Sequence, residues 1–269
     1  MFPTPTTGGW TSALRPAHPA PAARIVVFPH AGGDAQRYLT PLSRLPDDVE
    51  LLGITLPGRA ERAAEPPAGS VADVVRGVRG ALRGLPLLPT VFYGHSMGAL
   101  LAVAVADAPG PAPHPGAVVV SCGLPGERAY PHPERLHTAE GLDEIFALHG
   151  LPAGALDDTS LDPRARVLAH DLALTRRALR AVRDVCLGVP LTALAGTNDP
   201  LVPGDTLSGW AAFTRAAHRG RLVEGGHFFP FSPTGADVLL EELTAALRTV
   251  GHGAGLRAGV TAPRTAVRG

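Results

Sequence analysis

The chain contains no lysine: its 24 basic side chains are all arginine, they balance 24 acidic ones, and the formal net charge is zero. That balance excludes the strong positive field with which proteins hold nucleic acid or an anionic membrane surface. Two cysteines in 269 residues are too few for a disulfide framework. Both Cys122 and Cys186 lie in apolar stretches, so buried free thiols and a reducing, cytoplasmic setting are expected. No apolar run reaches bilayer-spanning length. The first 23 residues have neither a basic segment nor an apolar core of the kind a signal peptide needs, so none is expected. Metal-ligand clusters and phosphate-cradling loops are also missing, and neither a metal nor a cofactor is expected.

What is present is alternation. An apolar fraction of 45% and a charged fraction of 18% suit one large domain with a substantial core. Strands are predicted at residues 24–28, 50–56, 90–93, 117–122, 191–195 and 221–224. Helices are predicted at 35–45, 71–85, 97–107, 207–217 and 234–249. Strands that are apolar on both faces and separated by helices specify an α/β fold, a mostly parallel central sheet with helices on both faces. Residues 1–23 read as an irregular arm with Trp10 as a candidate anchor, 24–250 as the domain, and 251–269 as a disordered tail. Residues 124–187 break the rhythm, with two helical patterns at 142–149 and 164–185 and no strand signal. An insertion longer than a crossover requires is read as a helical lid.

Residues 92–103 read FYGHSMGALLAV. Within them Gly94-His95-Ser96-Met97-Gly98 has the form G-x-S-x-G, after a predicted strand and at the opening of a predicted helix. That is the setting of a nucleophile elbow, with an ordinary turn and a capping serine as the alternative. A turn this tight strains Ser96 and leaves no room for side chains at 94 and 98. It also holds the hydroxyl over the C-terminal edge of the sheet, above a helix N-terminus whose N–H groups favour a developing anion.

A serine hydroxyl needs a base to take its proton, and the base needs an acid to fix its tautomer. On this fold the chain order is Ser, acid, His. Of 11 histidines, His227 in LVEGGHFFPF follows the last predicted strand, behind Gly225 and Gly226. Asp199 in LTALAGTNDPLVP stands just past a strand, ahead of Pro200. His95 is set aside because an adjacent residue on a sharp turn points elsewhere. An oxyanion hole requires two donors. One is the backbone N–H of Met97; the other is that of Ala31, in the turn FPHAGGDAQ, where Gly32 and Gly33 let the backbone come close and His30 shapes the loop.

FPHAGG, LPGRAER with EPP behind it, GHSMGAL, GTNDPLV and EGGHFF occur in the order found in type II thioesterases, and the resemblance covers roughly residues 10–250. These are stand-alone α/β-hydrolase editing enzymes of polyketide and nonribosomal peptide assembly lines. The resemblance implies nucleophile Ser96, acid Asp199, base His227, oxyanion amides at Met97 and Ala31, and a lid in the helical insertion. One departure is that the first Asp of the usual Gly-Asp-x-Asp-Pro is Thr197 here. The implied activity is hydrolysis of acyl thioesters on the phosphopantetheine arm of an acyl or peptidyl carrier protein, clearing stalled or mis-primed groups. The protein partner is then the carrier, with no nucleic acid or membrane, and the chain is taken as a monomer. A carboxylesterase or lipase on small esters, an acyltransferase or cyclase, and a hydrolase-fold binding protein are the other readings. Leu124, Phe146 and Leu172 are candidates to line the acyl pocket. Arg59 and Arg62 suit either the carrier's phosphate and acidic surface or structural ion pairs.

Overall fold

A computed structural model describes residues 9–130 and 132–258, with backbone only at 136–137 and 252–258. Seven strands form one sheet: β1 (Thr11–Ala13), β2 (Ala23–Phe28), β3 (Val49–Ile54), β4 (Thr90–His95), β5 (Ala117–Ser121), β6 (Leu191–Gly196) and β7 (His218–Val223). Their order is β1-β3-β2-β4-β5-β6-β7; β1 runs antiparallel to β3 and every other pairing is parallel. The helices are α1 (Leu39–Leu42), α2 (Val71–Arg83), α3 (Met97–Asp107), α4 (Ala139–Leu148), α5 (Pro163–Ala181) and α6 (Pro233–Ala258).

The period-2 pattern of the strands divides the core. Val26, Phe28, Phe92 and Val120 face α2, α3 and the insertion helices α4 and α5. Ile25, Val27, Val91 and Val119 face α1 and α6. All of these side chains are excluded from water, and this two-sided burial is what a parallel sheet requires. The central strands and α3 therefore lie close to where the hydrophobic pattern puts them.

Four expectations need correction. The arm is not irregular throughout, because residues 11–13 form β1 by pairing with the open edge of β3. Residues 204–213 form a 3-10 helix, and 214–217 lead directly into β7. The last helix does not stop at 249 but continues to Ala258, while the expected tail from 259 onward lies outside the described residues. Cys122 is buried as expected, but Cys186 is only partly so; both are free. Among the described residues no helix is long and apolar enough to cross a membrane.

Trp10 does anchor the arm. The Arg62 guanidinium lies 4.2 Å from its ring centroid, and its indole fills the space beside Gly77 of α2, where an added Cβ would sit 1.9 Å from Trp10 Cε2. Gly80, one turn on, has nothing within 4 Å of such an atom. Alanine is favoured over glycine in a helix by about 1 kcal/mol, but overpacking costs about 1–3 kcal/mol. Gly80→Ala is therefore expected to stabilise the fold and Gly77→Ala to destabilise it, as read from urea denaturation midpoints.

Candidate active site

Ser96 joins β4 to α3 with φ 55° and ψ −119°, a backbone conformation that side chains rarely tolerate. The flanking glycines explain how the chain reaches it. A Cβ on Gly94 would lie 2.2 Å from the Gly98 carbonyl oxygen, and one on Gly98 would lie 2.0 Å from that of Phe28. The Ser96 amide donates to the Ser121 carbonyl at 2.8 Å, which fastens the turn to β5.

Asp199 follows β6 and His227 follows β7, so parallel neighbours deliver both to the same sheet edge as Ser96. Backbone bonds tie the two loops together: the Thr197 amide donates to Val223 and the Asn198 amide to Gly225, each at 2.9 Å. The Thr197 hydroxyl, where the usual motif has Asp, accepts from the Gly225 amide at 3.4 Å. His227 Nδ1 donates to Asp199 Oδ2 at 2.8 Å, and Ser96 Oγ donates to His227 Nε2 at 2.9 Å. Asp199 Oδ1 accepts from the amides of Leu201 and Val202 at 2.8 and 3.1 Å. Burial pushes the Asp199 carboxyl upward, but the hydrogen bond and charge of His227, with the Leu201 amide, outweigh it and hold the group below the usual carboxylate range. The arrangement can pass a proton from the serine hydroxyl to an imidazole held in one tautomer.

Ala31 and Met97, whose amides are the two expected donors, line the same cavity as Ser96.

A family profile for the thioesterase domain matches residues 23–247. This chain belongs to the thioesterase family. It is 34% identical over 239 residues to a probable cadicidin biosynthesis thioesterase of Streptomyces griseus, an alignment covering 83% of this chain and 62% of that one. Among solved structures, RedJ, a thioesterase from the prodiginine pathway of Streptomyces coelicolor, shares 30% identity with a TM-score of 0.68 over 86% of this chain and 90% of its own. The type II thioesterase BorB, from the borrelidin cluster, shares 26% identity at a TM-score of 0.65 over 89% of this chain and 98% of its own. The α/β-hydrolase fold expected from the motifs is the one these structures have.

In this thioesterase a cavity of about 280 Å³ opens beside Ser96. Met97, Leu100, Leu124, Leu172 and Leu179 give it an apolar wall, and Tyr130, Glu144, Thr175 and Arg176 of the insertion add polar groups. Leu124 and Leu172 thus lie where the sequence suggested. Phe146 does not: it is fully buried in the core, and α4 lends the cavity Ile145 and Leu148 instead, with His149 just beyond its end. Arg59 and Arg62 form ion pairs, Arg59 with Asp171 and Arg62 with Glu65 at 2.5 and 2.6 Å.

Two imidazoles lie behind the site. The His95 ring is buried 5.4 Å from that of His227, with Nδ1 2.7 Å from the Ser121 hydroxyl. His30 lies 2.8 Å from the Tyr38 hydroxyl and edge-on to His95. Burial first, then the Arg37 charge, lowers His30 to about 4; burial and the neighbouring His227 and His30 lower His95 well below the ordinary histidine value. Cys122, expected only as a buried free thiol, has its sulfur within 4.8 Å of the Asp199 and His227 ligand atoms. Burial and the Asp199 charge raise its thiol, which stays protonated beside the carboxylate. Its place at the end of β5, on the same edge as Ser96, was the available clue.

The strain at Ser96 is measurable. Ser96→Gly is expected to be more stable than Ser96→Ala by about 1 kcal/mol, since only glycine relieves the positive φ; thermal denaturation of both variants measures this. Burial of His30 makes stability depend on pH. This ring titrates near 4 in the folded chain against 6.5 for an unperturbed ring. Between those values the unfolded state binds more protons, so stability falls as pH falls, by up to about 3 kcal/mol from this residue. Asp199 contributes in the same direction but only nearer and below pH 4, where its unfolded carboxyl protonates. Denaturation midpoints from pH 7 to 4.5 are expected to drop in the wild type and to drop less in His30→Gln; equal slopes would refute this.

Proposed function

We propose that this thioesterase hydrolyses acyl thioesters carried on the phosphopantetheine arm of an acyl or peptidyl carrier protein, removing stalled or mis-primed groups from a polyketide or nonribosomal peptide assembly line. The observation that carries the reading is the unbroken hydrogen-bonded row Asp199–His227–Ser96 at the rim of a largely apolar cavity.

Ser96 Oγ attacks the thioester carbonyl carbon while His227 Nε2 takes the hydroxyl proton, and Asp199 stabilises the imidazolium. The amides of Met97 and Ala31 receive the negative oxygen; each such donor is worth roughly 3 kcal/mol in a comparable protease. The tetrahedral species collapses, the carbon–sulfur bond breaks, and the imidazolium returns its proton to the departing thiolate. Water then attacks the acyl-serine, His227 accepts its proton, and the carboxylic acid leaves as Ser96 is reprotonated. The apolar wall of the cavity takes the acyl chain.

Two exposed apolar side chains support a protein partner at this edge. Leu148 is 68% exposed and Phe228 54% exposed, and each borders a cavity that reaches Ser96. Such side chains on the rim of a site suit a surface that is covered intermittently. The partly exposed free thiol of Cys186 and the buried one of Cys122 suit a reducing cytoplasm, where we place the chain as a monomer.

The test uses one acyl group presented on a phosphopantetheinyl carrier protein and as a simple oxoester. Faster release from the carrier, followed by intact mass, is expected; equal or faster ester hydrolysis, or transfer of the acyl group to an amine or alcohol, would refute the assignment. Ser96→Ala is expected to lose at least roughly 10⁴-fold in kcat while keeping its fold, and His227→Ala a similar factor. A fluorophosphonate is expected to label Ser96 in the wild type only.

A further inference from the structure

The turn that presents the Ala31 amide is held from outside itself. Its Gly32 N–H donates to Asp171 Oδ2 at 2.7 Å. Asp171 belongs to α5, within the helical insertion, and its side chain is 3% exposed. Arg59 grips the same carboxylate as a fork, with one terminal nitrogen 2.7 Å from Oδ2 and the other 2.5 Å from Oδ1. The first of those nitrogens also donates to the Gly33 carbonyl at 3.2 Å. Leu168, one turn before Asp171, closes the remaining space: a Cβ on Gly32, whose φ is +70°, would lie 3.2 Å from its Cδ1. A carboxylate of the insertion and a guanidinium of the 57–62 loop therefore grip the two residues after Ala31 through both a donor and an acceptor.

A buried ion pair is a poor way to stabilise a fold. Taking both charges out of water costs several kcal/mol per ion, and an apolar replacement of similar volume is often neutral or better. What this pair supplies is direction, because charge-assisted, bidentate bonds fix geometry. An oxyanion donor needs that fixing, since its value depends on lying about 3 Å from where the negative oxygen develops. We infer that Asp171 and Arg59 are positioning residues that hold the Ala31 amide in its catalytic place, so that the lid helix α5 is a structural part of the oxyanion hole. This rests on the reading of Ala31 as an oxyanion donor. The two insertion helices then differ in role, since both line the cavity but α5 alone braces the turn.

The experiment compares the full-length wild type with Asp171→Asn, Asp171→Leu and Arg59→Lys. It measures melting temperature, kcat and KM on an acyl-phosphopantetheinyl carrier, and inhibition by an acyl trifluoromethyl ketone, which forms an oxyanion on the serine. Asp171→Asn is expected to fold, to lose roughly 10- to 100-fold in kcat with KM within about twofold, and to bind the ketone more weakly by a similar factor. Arg59→Lys, which keeps a charge but not the fork, is expected to lose kcat in the same sense but by a smaller factor. Asp171→Leu, which leaves the buried Arg59 charge and the Gly32 N–H unpaired, is expected to melt below Asp171→Asn and to lose at least as much kcat, with weaker ketone binding to match. Should Asp171→Leu fail to fold, the other two variants decide. Folded variants with kcat within twofold of wild type, or losses confined to KM, would overturn the proposal. A wild type that neither hydrolyses the carrier thioester nor binds the ketone would instead sink the underlying reading of the site.

Discussion

The turn at Ser96 has no space for a single carbon on either side of it. Gly94 abuts the carbonyl of Gly98, and Gly98 abuts the carbonyl of Phe28, at distances no real Cβ could accept. The hydrogen-bonded row Asp199–His227–Ser96 is arranged around that contact. With both glycines in place the strand passes directly into α3, the serine takes a backbone conformation costing on the order of 1–3 kcal/mol, and its hydroxyl is left standing above the sheet. The rest of the molecule must then supply a base, an acid and an anion site at that one point. A parallel sheet does so because its parallel strands all end on the same side, so that the loops after β2, β4, β6 and β7 meet there.

The electrostatics of the site come largely from exclusion. His30 and His95 are buried in a cluster with Tyr38, Phe228 and Phe231, and burial keeps both neutral at physiological pH. Neutral rings behind His227 add no positive charge that would resist formation of its imidazolium. The compensating negative charge is concentrated in Asp199, which the His227 ring and two backbone amides hold in its ionised form. A carboxylate satisfied on both oxygens orients the imidazole without competing for its proton.

The helical insertion is joined to this frame more closely than a cover would be. Its α5 packs Leu172, Leu174 and Leu179 into the same core as α3 and presents Asp171 to the turn after β2. Its α4 gives Ile145 and Leu148 to the cavity and turns Phe146 into the core. The volume and lining of the cavity are therefore set largely by residues 124–187, while Ser96, Asp199 and His227 stand on loops that follow sheet strands.

The central strands were legible because burial on two faces writes a continuous apolar run, as in residues 25–28 and 117–120. The site was legible because a strained turn demands glycine at fixed offsets and because chain order restricts where base and acid stand. The edges of the sheet were less so. β1 exists only because β3 offers it unpaired backbone groups, and β7 carries the polar side chains His218, Arg219 and Arg221 at an open edge, so its polarity hides most of its length. The end of α6 was misjudged because Gly251 and Gly253 are poor helix formers, though the helix runs through them. By itself the sequence determined the layering of the sheet and singled out Ser96, Asp199 and His227 as the side chains to look for at one edge, since periodicity and turn sterics are local properties. Only the tertiary structure decided which face of α4 meets the cavity, that Cys122 stands beside the acid, and that Asp171 reaches across 139 residues to Gly32. Those are contacts between distant segments, and no local pattern encodes the rotation of one helix against another.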